Sequence, residues 1–187
     1  MYNEIRNAVA VLKKGGTILY PTDTIWGIGC DATNEEAVSK IYKIKNREES
    51  KNLIILLNHA GRLPSYLNQV PDIAWELINI ADKPLTLIYP GAKNLAKNII
   101  AEDGSVAIRI VQNEFCIKLI ESFRKPIVST SANISDQPHP KNYNEIDEQI
   151  KTQIDYIVNF NRNNINKIKP SSILKLGING EFQIIRK

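Results

Sequence analysis

Between Glu4 and Lys14 the apolar residues Ile5, Ala8, Val9 and Leu12 recur at helical spacing, and Gly15-Gly16 ends that helix ahead of the apolar run from Thr17 to Tyr20. A strand follows, closed by Pro21, and Thr22 to Asp31 reads as a loop. Thr33-Asn34-Glu35-Glu36 spells a capping box before the stripe Val38, Ile41 and Tyr42, which predicts a helix ending near Lys45. The continuous run Leu53–Leu57 suits a strand buried on both faces. Ile73, Leu77, Ile78 and Ala81 predict a helix, and Pro84 to Tyr89 a strand. From Ser105 to Val111 the pattern alternates, with Val106, Ile108 and Ile110 on one side and Ser105, Ala107 and Arg109 on the other. A helix over Phe115–Phe123, a short strand over Pro126–Ser129 and a polar loop over Ser131–Lys141 follow. Ser172–Leu176 and Phe182–Ile185 flank Gly177-Ile178-Asn179-Gly180, a hairpin signal. Alternating strands and helices with a closing hairpin place the chain in the α/β (α+β) class: a mixed parallel/antiparallel sheet flanked by helices.

At 187 residues and 43% hydrophobic content the chain can bury one sizeable core, so residues 1–187 are expected to form a single domain. No run of eighteen apolar residues occurs and the N-terminus lacks signal-peptide character, which predicts a cytoplasmic protein without a membrane partner. Two cysteines, Cys30 and Cys116, build neither a disulfide framework nor a zinc ribbon and are expected to be buried. The two histidines, His59 in a loop and His139 between Pro138 and Pro140, are too few for a histidine triad or a histidine metal site, so no protein-held metal is expected. The net charge of +4 permits a polyanionic partner. Basic residues gather from Lys40 to Lys51 and again from Arg162 to Lys187, where two solvated faces are the plain explanation. The Asn- and Lys-dense segment Ile157–Lys169 is the one candidate for a flexible stretch.

Gly27-Ile28-Gly29-Cys30-Asp31-Ala32 satisfies G-x-G-x-x-A, the spelling of a dinucleotide-binding turn. The context is wrong for one. Pro21 to Trp26 separate Gly27 from the strand, the helix starts after Ala32, and Glu48 and Glu49 precede the second strand where an acid should end it. Gly27 and Gly29 therefore mark a loop that needs positive φ or close backbone approach.

Other polar residues cluster at strand ends. Thr22, Asp23 and Thr24 follow the first strand, Lys45, Arg47 and Lys51 precede the second, and Ser129, Thr130, Ser131 and Asn133 follow the strand that begins at Pro126. Ligands of helix-flanked sheets bind just beyond strand ends, and hydroxyls, an amide and cations suit a phosphate. Each has a dull alternative: Lys43 and Lys45 offset a helix dipole, Ser131 and Asn133 build a turn, and Arg109 lies on an exposed strand face.

These pieces resemble the YrdC-like family of threonylcarbamoyl-AMP synthases over nearly the whole chain. The resemblance rests on Tyr20-Pro21-Thr22-Asp23-Thr24-Ile25-Trp26-Gly27-Ile28-Gly29, Lys45-Asn46-Arg47, Pro84–Leu87, Val106–Arg109, Ser129–Ser135 and Pro170-Ser171-Ser172-Ile173, six segments in the family's order. It implies a twisted mixed sheet with helices on both sides, in the short form that lacks a second domain. The implied reaction joins L-threonine, bicarbonate and ATP into threonylcarbamoyl-AMP and pyrophosphate, toward tRNA threonylcarbamoyladenosine. By matched position Lys45, Arg47, Ser131 and Asn133 would be catalytic. Lys45, Arg47, Lys51, Ser105, Ser131, Asn133 and Arg186 would hold ATP, and Thr24, Arg109, Ser129, Ser171 and Ser172 would hold threonine. Mg2+ would come with ATP, held by phosphate oxygens and water. tRNA and downstream threonylcarbamoyl-transfer proteins are the partners implied. The chain departs from the family at Asp23 (usually Glu), Trp26 (Tyr or Phe), Glu48 (Pro) and Asp136 (Gly), and at Leu56, where some members carry a threonine-contacting histidine. The alternatives are a non-catalytic RNA-binding module and the carbamoyl-transfer enzyme of hydrogenase maturation, which is far longer and carries zinc-type cysteine pairs.

Overall fold

The computed structural model describes residues 1–46, 53–135, 137–163 and 170–187. Arg47, Lys51, Glu48, Asp136 and the 164–169 part of the Asn- and Lys-dense segment lie outside the described residues.

Helix α1 (Tyr2–Lys13) buries its predicted stripe Ile5, Ala8, Val9 and Leu12, and Gly15 at φ 72° turns the chain out of it. It packs beside α4 (Glu114–Phe123) on one face of the sheet, together with Ile18 and Tyr20 of β1 (Ile18–Tyr20) and Leu56 of β3 (Ile54–Leu57). The opposite face carries α2 (Glu35–Lys45), with Ala74 of α3 (Asp72–Ile80) and Ile150 of α5 (Glu148–Lys151), packed on Leu19, Ile55 and Leu57. Alternate residues of β1 and β3 thus feed two cores, as a sheet covered by helices on both sides requires.

Among the described residues the sheet has nine strands, ordered β7-β1-β2-β6-β3-β5-β4-β8-β9. The remaining strands are β2 (Gly27–Gly29), β4 (Leu85–Tyr89), β5 (Val106–Ile110), β6 (Ile127–Ser131), β7 (Tyr156–Ile157), β8 (Ser172–Leu176) and β9 (Phe182–Arg186). Parallel pairs (β7/β1, β3/β5, β4/β8) are interleaved with antiparallel ones, including the β8/β9 hairpin.

Three expectations are corrected. The loop expected over Thr22–Asp31 contains β2, which pairs antiparallel with both β1 and β6. Its glycines hide it: neither has positive φ, but a Cβ on Gly29 would stand 2.6 Å from the Val128 carbonyl oxygen and 2.7 Å from Cε1 of Tyr20. Close approach, not a turn, requires glycine there. The capping box is a single cap: Asn34 Oδ1 accepts the Ala37 N–H at 3.0 Å, while Thr33 donates from N and Oγ1 to Asp31 Oδ1 at 2.8 and 2.6 Å. Within the stretch expected to be flexible, Ile157 pairs with Leu19 and Val158 is buried.

Gly29→Ala is expected to destabilise the protein by about 1–3 kcal/mol, since backbone oxygen and a packed ring must both give way. The change is read as a lower urea midpoint with an unaltered slope.

Candidate active site

Strand register builds the site. On the face that carries α1 and α4, one cross-strand row runs Ile127–Leu56–Arg109–Thr86–Ile173–Arg186, and the next runs Ser129–Ile54–Ala107–Ile88. The helices cover the Ile127 and Leu56 end of this face. Past them the sheet forms the floor of a cleft of about 270 Å³, walled by Thr22, by Thr24 to Gly27, the end of β6, His139 and the Pro170–Ser171 approach to β8.

The cleft lining is hydroxyl-rich and cationic. Thr24, Ser129, Ser131, Ser171, Arg109 and Arg186 all line it, and among the described residues no carboxylate does. Thr22 Oγ1 donates to the Ile25 carbonyl at 2.7 Å and accepts from the Thr24 N–H at 3.1 Å, a local turn that fixes the 22–25 segment. Ser171 Oγ lies 2.8 Å from Thr86 Oγ1, and the Ser171 carbonyl accepts from Nε and Nη2 of Arg186 at 2.9 and 2.8 Å. Partial burial and the charge of Arg109 both pull the Arg186 guanidinium below its ordinary pKa.

Arg109 is not on an exposed strand face. It is 4% exposed and its Nη2 lies 2.9 Å from Asp23 Oδ1, with both side chains almost wholly buried. The contact is an ion pair, not a directed hydrogen bond: Asp23 Oδ1 and Oδ2 and Arg109 Nε have no hydrogen-bond partner among the described residues. Behind the pair lie Tyr20 and Cys116, whose pKa values burial pushes up, so both stay neutral.

Lys45 is 1% exposed and sits beneath the cleft wall, outside the lining. Its Nζ donates to the Ser131 carbonyl at 2.7 Å, to the Asn133 carbonyl and to Asn133 Oδ1 at 3.1 Å, with Ser131 Oγ at 3.5 Å. Asn133, also buried, donates through Nδ2 to the Gln137 carbonyl at 2.5 Å. Of the residues singled out in the sequence, the fold therefore brings Thr24, Arg109, Ser129, Ser131, Ser171 and Arg186 to one cleft and sets Lys45 and Asn133 directly behind it. Ser172 points away by strand alternation, its N–H on the Pro84 carbonyl at 3.1 Å, so of the serine pair only Ser171 reaches the cleft. Ser105 stands outside the lining, its N–H held by Asp103 Oδ1 at 3.0 Å. A hydrogen bond from Lys175 lowers that Asp103 carboxyl to a pKa of about 2. Leu56 is enclosed in the α1/α4 core and offers the cleft nothing.

Sequence reasoning gave no role to two residues at the cleft. Asp23, which lies outside the lining and pairs with Arg109, was noted only as a strand-end polar residue and as a departure from the family's usual Glu. His139 was set aside because two histidines are too few for a triad or a metal site, yet it lines the cleft.

The family model for Sua5/YciO/YrdC, described as "Telomere recombination", matches residues 10–187. The chain belongs to this family. Within it, a threonylcarbamoyl-AMP synthase of Pseudoalteromonas translucida (strain TAC 125) is 34% identical over 157 residues, covering 82% of this chain and 84% of the relative. A crystal structure of P. abyssi Sua5 complexed with L-threonine superposes with a TM-score of 0.84 at 30% identity, over 92% of this chain. This Sua5/YciO/YrdC chain spans about half (50%) of the length of that Sua5 chain. E. coli YciO shares the fold at a TM-score of 0.86 and 23% identity, over 100% of this chain and 90% of its own.

Asp23→Asn is expected to destabilise by about 3–5 kcal/mol, because it leaves a buried guanidinium without its counter-charge. Adding Arg109→Met to that variant should return part of the loss, measured by urea unfolding of both variants.

Proposed function

We propose that this chain is a threonylcarbamoyl-AMP synthase that acts through one catalytic domain spanning residues 1–187. The observation that carries the reading is a cleft with no carboxylate among the described residues and with Arg109 and Arg186 on one cross-strand row, in a family whose relatives bear that name. The names of the relatives favour it over a non-catalytic RNA-binding module.

The threonine amine combines with bicarbonate to form an N-carboxylate with loss of water. A carbamate oxygen then bonds to the α-phosphorus of ATP as the bond to the bridging oxygen breaks and pyrophosphate leaves. Both reactants are anions, so repulsion and misorientation are the obstacles. Positioning is worth up to about 7–11 kcal/mol, and fixed positive charge supplies much of the rest.

In this reading Arg109, with Thr24, Ser129 and Ser171, takes the threonine end, where a guanidinium fork fits a carboxylate. Ser131, Asn133 and Arg186 take the nucleotide end, with Lys45 fixing the Ser131–Asn133 loop and Arg47 and Lys51 adding phosphate contacts. Ser105 and Ser172 have no place in this arrangement. Among the described residues the cleft lining offers Mg2+ no carboxylate, so in this reading the ion enters with MgATP, where it screens phosphate charge while held by phosphate oxygens and water. The product passes to threonylcarbamoyl-transfer proteins that modify tRNA in the cytoplasm.

Purified protein given MgATP, bicarbonate and L-threonine should release pyrophosphate only when threonine is present, and threonine-independent or absent release overturns the reading. Arg109→Lys is expected to raise the threonine KM about tenfold or more while the ATP KM moves less than about twofold, since an ammonium cannot replace a fork.

A further inference from the structure

Thr22 has no role in the arrangement above, yet it lines the cleft with Thr24, and both residues are buried. Asp23, between them, turns instead to Arg109 at 2.9 Å. A hydroxyl has one proton to give and two lone pairs with which to accept, and on Thr22 all three are accounted for. Its proton goes to the Ile25 carbonyl at 2.7 Å, a group that can only accept. One lone pair takes the Thr24 N–H at 3.1 Å. The other faces Thr24 Oγ1 at 3.0 Å, and since the Thr22 proton is already placed, the proton between these two oxygens is that of Thr24. Thr24 therefore spends its proton inside its own loop and has only lone pairs left for the cleft. To donate outward it would have to leave two buried hydroxyl oxygens 3.0 Å apart with no proton between them.

We propose that Thr22 is a positioning residue that sets the polarity of Thr24, holding its hydroxyl as a hydrogen-bond acceptor for an N–H or O–H of the amino-acid substrate. The inference rests on the synthase reading and deepens it. A guanidinium only donates, so Arg109 takes groups that accept, above all the substrate carboxylate. Carboxylate and phosphate oxygens only accept, and a Thr24 with nothing but lone pairs to offer leaves them to the arginines. What it can take is a donor, and the donors that threonine brings are its amine and its β-hydroxyl. A fixed acceptor and a fixed donor in one cleft read different groups of the same substrate and so orient it, whereas a freely turning Thr24 hydroxyl would accept either. ATP lies toward Arg186 in this reading and does not sense the polarity.

Thr22→Val keeps the branched shape and removes the hydroxyl, while Thr22→Ser keeps the hydroxyl. With pyrophosphate release as the assay, Thr22→Val is expected to raise the threonine KM about tenfold and to move the ATP KM less than about twofold, and Thr22→Ser to recover most of the loss. In a Thr24→Val background no hydroxyl is left to orient, so Thr22→Val should add less than about twofold. Thr22→Ala, which introduces no new atoms, repeats the comparison if Thr22→Val does not fold. L-α-Aminobutyrate, which is threonine without its hydroxyl, separates the two donors as a competitor of threonine. If Thr22→Val leaves its inhibition constant in place, the donor is the β-hydroxyl; if the constant rises as the threonine KM does, the donor is the amine, and both results support the inference. An unmoved threonine KM, an equal rise in the ATP KM, or full additivity with Thr24→Val overturns it and leaves the synthase reading standing. No threonine-dependent pyrophosphate from the wild type overturns both.

Discussion

The structure turns on a lysine ammonium buried to 1% exposure at the end of α2. An ammonium taken out of water must find acceptors for its protons, and Lys45 finds them at the end of β6 and in the loop beyond: the carbonyls of Ser131 and Asn133 and the side-chain oxygen of Asn133. The loop answers in kind. Ser135 donates from N and Oγ to the Lys45 carbonyl at 3.2 and 3.0 Å, satisfying a carbonyl that the helix end leaves open, while Asn46 at φ 47° stops the helix. Helix end and loop therefore fix each other. The geometry of Ser131, Asn133 and the chain leading to His139 follows from that exchange.

The second constraint is register. The sheet presents alternate residues to each face, and α1 and α4 cover only part of one of them. Where the cover ends, the same alternation that places Leu56 in the core places Arg109 and Ile173 on the open floor. Ala107, between Ile54 and Ile88 in the next row, supplies depth by being small. A cleft of this kind needs no special loop. It is the unroofed part of an ordinary layered sheet.

Most of this was legible because it is periodic. The stripes of α1, α2 and α4, the alternation of β5 and the closing hairpin are signals in which neighbouring residues repeat one message. β2 was illegible because its reason lies elsewhere: Gly29 answers to the Val128 carbonyl and the Tyr20 ring, a steric demand that local propensity reads as a turn. β7 was illegible because two residues carry no period. In the site, hydroxyls and cations at strand ends pointed to an anion, but which serine of Ser171-Ser172 faces the cleft depended on register with β4. Lys45 read as a phosphate ligand by composition. Only the packed structure shows its ammonium bonded to carbonyls behind the wall.

The Asp23–Arg109 pair gives the cleft a direction. Asp23 cancels Arg109 at 2.9 Å, whereas Arg186 is held by the Ser171 carbonyl, which satisfies its hydrogen bonds without removing charge. Among the described residues the cation at one end of the cross-strand row keeps its field and the one further along it is nearly neutralised. At an effective dielectric of about 20, a unit charge 4 Å away is worth roughly 4 kcal/mol, so such an asymmetry is large compared with a single hydrogen bond. In the proposed reaction a triphosphate would be steered to the Arg186 end, and a singly charged carboxylate would hold the Arg109 end without competition from it.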